Sequence, residues 1–268
     1  MHSSIKSQTM KIICNVITLF LAVVLLCSCS SLTQTKTNQA VVFKYDRHYT
    51  FDDVQAANAA KLIEIAKTAQ DPDVRMLAVN SIKSASVLQD VAKHDPNDEV
   101  RMLAVSKITF QPALQDIAKT DKDVDVRLMA VSKMTFGPAL QDIAKHDAND
   151  EVRMLAVSKI TFQPALHDIA KTDEDVDVRL MAVSKMTFGP ALQDIAKHDT
   201  NDEVRLLAVS KITFQPAMHD IAKTDEDVDV RLMAVSKMTF SPALQEIAEK
   251  DKDEQVRKMA LGQLRLNP

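Results

Sequence analysis

Eight arginines recur at a fixed spacing of 26 residues: Arg75, Arg101, Arg127, Arg153, Arg179, Arg205, Arg231 and Arg257. Each follows a valine and precedes an alanine by three positions, and Asp or Asn stands four residues before it. A row of guanidinium groups can grip an anionic ligand through paired N–H donors. Carboxylates of the Asp121 or Asp125 type recur beside every arginine and can take the same donors. Acids in every unit cancel the field of the row, so the expected role is structural, with ligand binding as the alternative.

The other reactive side chains are sparse or scattered. His94, His146 and His198 are expected in turns, and His167 and His219 on the first helix of their units. Copies in stacked units would lie about 10 Å apart, too far to share one ion, so no metal site is expected. Cys14, Cys27 and Cys29 all sit in or at the end of an apolar N-terminal run, leaving the rest of the chain without a thiol. No nucleophile–base pair, glycine-rich phosphate loop or paired zinc motif is present. No catalytic residue and no cofactor is expected, and the chain reads as a non-enzyme.

What must position these groups is a repeat. In residues 111–134, Pro112 suits the first turn of a helix, and Leu114, Ile117 and Ala118 share one helical face, so a helix is predicted over 112–120. Asp123 can cap a second helix, Asp125 and Lys133 suit its dipole, and Val126, Met129, Ala130 and Met134 form its buried stripe. Phe136, in the link to the next proline, is expected to plug the hairpin. Methionine exchanges with leucine at equivalent positions (Met154/Leu206, Leu166/Met218), as core filling does. Helices of about ten residues are marginal alone and must gain stability from their neighbours.

Every second unit also matches, giving a 52-residue super-period: residues 97–148 and 149–200 differ only at Gln115/His167, Lys122/Glu174 and Ala148/Thr200. Positions 115/167/219 and 122/174/226 are expected to be exposed. The ends differ. Thr50-Phe51-Asp52-Asp53 reads as a capping box opening a longer first helix, and Lys44–Tyr49 as a segment folded over the first helix pair. Three glycines, no tryptophan and two tyrosines in 268 residues argue against a sheet-rich fold. The net charge of −4, with both signs interspersed, leaves no footprint for nucleic acid.

At the N-terminus, Lys6 and Lys11 precede a nearly continuous apolar stretch over residues 12–28, with Met1 or Met10 as the start. That is the order of a secretory signal. It ends in Leu26-Cys27-Ser28-Cys29, which resembles the lipobox of bacterial lipoproteins. The resemblance implies cleavage after Ser28, lipidation of Cys29, and, with Ser30 next in the chain, delivery to the outer membrane as an anchor facing the periplasm. The expected organisation is a signal peptide over 1–28, a tether and N-terminal cap over 29–50, and a solenoid over 51–268.

The segment Asp-Val-Asp-Val-Arg-Leu-Met-Ala-Val resembles the second helix of HEAT-like repeats, although those units are longer. The pattern Val-Arg…Pro-Ala-Leu…Ala also resembles the leucine-rich repeat variant, whose units pair an α-helix with a 3₁₀-helix. Both imply an all-α, right-handed solenoid, here of eight 26-residue helix hairpins. The expected function is a lipid-anchored scaffold for a protein or peptide partner. The alternatives are an envelope-organising spacer without a specific partner and, further off, an accessory of HEAT-like lyase type.

Overall fold

A computed structural model describes residues 49–266. The lipobox residues Leu26, Cys27, Ser28 and Cys29, and most of the 29–50 tether, lie outside the described residues. The described residues form 17 α-helices and no strand. Helices alternate between a first helix and a Val-Arg helix, for example Gln111–Thr120 followed by Val124–Lys133. The result is an all-helical repeat solenoid, built of consecutive hairpins that each pack on their sequence neighbours.

The two helix types are started differently. Every Val-Arg helix from Pro72–Ser81 to Val228–Ser236 has an Asp or Asn N-cap whose side chain accepts from first-turn amides, as Asp123 does from Asp125 and Val126. This satisfies donors that would otherwise be orphaned. From the third unit on, every first helix starts after a phenylalanine that offers no side-chain cap, with a proline two positions into the helix. The proline removes one of the orphan N–H groups.

The Val-Arg helix is α over its full length. Its 3₁₀ character is confined to the closing bond, where Ile108 N–H reaches Val105 O and Met134 N–H reaches Val131 O. It is apolar on several faces because it packs on its own first helix and on the Val-Arg helices before and after it. Val126, Ala130, Val131 and Met134 are fully buried, while Met129 is only partly so. The first helix contributes a narrower stripe, such as Ala113, Leu114, Ile117 and Ala118.

Several expectations need correction. The first helix of the reference unit begins at Gln111, one residue earlier than read from Pro112. The capping box at Thr50 and Asp53 is formed, but the helix it opens is short, Phe51–Ala56, and a new helix capped by Asn58 runs over Ala59–Thr68. Phe136 does not plug the hairpin; its ring is 52% exposed. The side chain has nowhere inward to go, since the helix pair beneath the link is already filled by Met134 and Leu140. Of the segment Lys44–Tyr49 only Tyr49 is among the described residues; its hydroxyl donates to Glu64 at 2.6 Å, and the Lys61 ammonium lies 4.6 Å from its ring centre.

Candidate functional site

The arginine row is an internal clamp. Arg153 lies on the Val-Arg helix Asp150–Lys159. Its Nε and Nη2 donate to the two carboxylate oxygens of Asp173, in the next unit, at 2.9 and 3.0 Å. Its Nη1 donates to the backbone carbonyl of Asp147, in its own hairpin turn, at 3.0 Å. Asp173 in turn accepts the N–H of Asp175 at 2.9 Å, which pins the turn.

The same arrangement joins Arg75 to Asp95, Arg101 to Asp121, Arg127 to Asp147, Arg179 to Asp199, Arg205 to Asp225 and Arg231 to Asp251. Arg257 makes only the backbone half, to Asp251 O and Lys252 O. Asp121-type carboxylates therefore serve the arginine of the preceding unit. Asp125-type carboxylates sit exposed in the first turn of their helix and make no ion pair with the row, because the arginine side chain points across the turn toward the next unit. The paired side chains are 2–11% exposed, so the forks are closed to a ligand. The carboxylate hydrogen bonds raise the pKa of Arg101, Arg153 and Arg205 above the ordinary arginine value.

Two further rows tie unit to unit at the opposite ends of the Val-Arg helices. Lys133 does not remain at its own helix end; its ammonium donates to Ser106 O in the preceding unit at 2.5 Å. Lys107, Lys159, Lys185, Lys211 and Lys237 repeat this on Asn80, Ser132, Ser158, Ser184 and Ser210. The cation meets the carbonyl end of a helix, where it is favoured. Burial pushes those five ammonium pKa values down. In every second unit, Gln111, Gln163 and Gln215 each accept from the N–H of a threonine in the following link and donate to the lysine carbonyl beside it. Gly137 and Gly189 stand at that position in the alternate units, which gives the 52-residue super-period a physical meaning.

The first helices are cross-linked at the surface. Lys171 of one unit and Asp194 of the next pair at 2.8 Å, and His167 and His198 also reach Asp194. The Lys171 hydrogen bond, followed by those of the two histidines, lowers the Asp194 carboxyl to about 2. His94, His146 and His198 are the last residues of their first helices rather than turn residues, each bonded to an acid four positions back. His167 and His219 are half-buried and bridge to Asp194 and Glu246 of the following unit, so positions 115/167/219 are less exposed than expected. Among the described residues no group of His, Cys, Asp or Glu could hold a metal ion. An open depression of about 330 Å³ lies in the turn region beside His146, Asp147, Arg153, Thr172 and Asp173.

The feature that sequence reasoning missed is an aromatic ladder. Phe110, Phe136, Phe162, Phe188, Phe214 and Phe240 are 52–59% exposed, each in the same link between a Val-Arg helix and the next first helix. The links stack directly, since Gln111 bonds to Thr135, the neighbour of Phe136. Each ring is flanked by an exposed threonine and an exposed proline, as in Thr161-Phe162-Gln163-Pro164. The signal was present: these phenylalanines fall outside both i, i+3, i+4 stripes.

No family model and no curated protein matches the chain. Among solved structures, the chain is similar to a leucine-rich repeat variant with a novel repetitive structural motif, at 23% identity and a TM-score of 0.59, over 77% of this chain and 82% of that one. It also aligns with YibA of E. coli at 18% identity and a TM-score of 0.43, over 82% of this chain and 99% of that one. The first likeness shows a helical repeat fold.

Proposed function

We propose that the chain is a lipid-anchored scaffold of the bacterial envelope that holds a protein or peptide partner along its phenylalanine edge. One observation carries this reading: six large apolar rings stand in a row in solvent, where folding does not need them. Large apolar side chains exposed along one edge mark interaction sites in water-soluble folds. The lipobox-like Leu26-Cys27-Ser28-Cys29 after an apolar run supports the anchor, and Ser30 supports the outer membrane.

The test is photo-crosslinking in intact cells from p-benzoylphenylalanine placed in turn at each ladder position of the full chain. A discrete protein adduct from the ladder supports the scaffold. Diffuse or absent adducts would favour the spacer instead. Separately, Cys29→Ser should abolish labelling by radioactive palmitate and release the protein from the membrane fraction; retained labelling would remove the anchor from the proposal.

A further inference from the structure

We infer that the partner on the phenylalanine edge is a second copy of this chain, packed ladder against ladder. The inference rests on reading that edge as a docking surface.

The phenylalanines are not there to make their own units fold. The equivalent position in the first two units is Asn58 and Ser84, and the helices that follow, Ala59–Thr68 and Ala85–His94, have the same ten-residue length as those after the phenylalanines. Asn58 even makes the capping bond that a phenylalanine cannot. A proper cap at such a site contributes roughly 0.5–2 kcal/mol, and the chain forgoes it six times in succession.

The exposed area fits a dimer. Six rings at 52–59% exposure leave about 600–700 Å² of aromatic surface if each ring has ~200 Å² to bury. The exposed prolines and threonine methyls beside them bring the edge close to the roughly 800 Å² per partner of a stable specific interface.

The sequence spacing suits a second copy. Six rungs repeat once per 26-residue unit, and an occupant must match that rise over all six. A second copy has it by construction. A two-fold axis between Phe162 and Phe188 sets rung 162 on rung 188, 136 on 214 and 110 on 240, a self-complementary contact of the kind homodimers use.

Charge does not oppose the approach. The stretch from Ile160 to Ala165 and its counterparts contain no acid or base. The nearby lysines are drawn down onto backbone carbonyls. The first-helix amino ends and the Val-Arg carboxyl ends meet at this edge, so their partial charges offset.

The experiment uses the full chain in cells, with p-benzoylphenylalanine at position 162 and peptide mapping of the adduct. The expected result is a species of twice the chain mass, linked within residues 187–190 of the second copy. The paired substitution Phe162→Ser and Phe188→Ser removes four rings from the contact. It should weaken self-association of the purified lipid-embedded chain by at least about a hundredfold. Helix content should not change, given Ser84 at the same position. Phe162→Leu with Phe188→Leu should retain most of the association. An adduct with a different protein, or with lipid, overturns the inference; the different protein leaves the docking-surface reading standing, whereas no protein adduct from any rung removes both. Self-association that survives the serine pair, or a dimer linked elsewhere, also overturns it.

Discussion

Removing one carboxylate from the internal clamp is the sharpest test of how the units are held together. In Asp173→Ala, the Arg153 fork, 6% exposed in the native chain, loses both carboxylate oxygens that it grips and keeps as its nearest acid only the exposed Glu174, 3.8 Å from Nη2. The turn also loses the acceptor for the Asp175 N–H. Leaving one member of a buried pair behind costs about 3–5 kcal/mol, much of it desolvation of the stranded charge. The clamp lies at the solenoid's edge and Arg153 keeps its bond to Asp147 O, so the low end, about 3 kcal/mol, is expected. Removing both partners, in Arg153→Met with Asp173→Ala, should cost less than the sum of the single changes by about 2 kcal/mol, because no charge is left stranded. Urea unfolding followed by circular dichroism measures all three variants. In a chain stabilised by nearest-neighbour contacts, the single change should also begin to split one transition into two. A cost below about 1 kcal/mol for Asp173→Ala, or additive single and double changes, would refute the account of the arginine row as the clamp between units.

Other expected outcomes follow from the same contacts. Phe162→Asn should raise stability by about 0.5–1 kcal/mol by supplying the missing helix cap, as read from urea midpoints, while weakening association. Gln163→Ala should cost about 1 kcal/mol by freeing Lys185 O and Thr187 N–H, and Gly189→Ala, with open space around its missing Cβ, should not destabilise the fold. Asp194 has its pKa depressed to about 2, so its contribution is present above the unfolded carboxyl value near 4 and is lost as pH falls toward 2. A urea midpoint that declines over that window in the native chain and declines less in Asp194→Asn is the expected result.

How much was legible can be judged residue by residue. The 26-residue period, the two helices per unit, the Asp123-type caps and the core positions Leu114, Ile117, Val126, Ala130 and Met134 follow from spacing alone. Helical periodicity and capping are local, and a face that must be buried announces itself by its apolar pattern. The arginine row was visible as a row, but its partner was not. Arg153 could meet Asp147, Glu151 or Asp173 by composition, and only the stacking of one hairpin on the next brings Asp173, 20 residues on, within 3.0 Å.

The sequence by itself determined that this chain is an array of short helices that must lean on one another, because neither helix of a pair can bury its apolar surface alone. The tertiary structure decided which side of each link faces water. Phe136 and its equivalents are apolar yet fall outside both helical stripes, so the pattern alone does not fix which way they face. The space beneath was already taken by Met134 and Leu140, and close packing leaves no room for another ring, so the phenylalanines stand outside in a row.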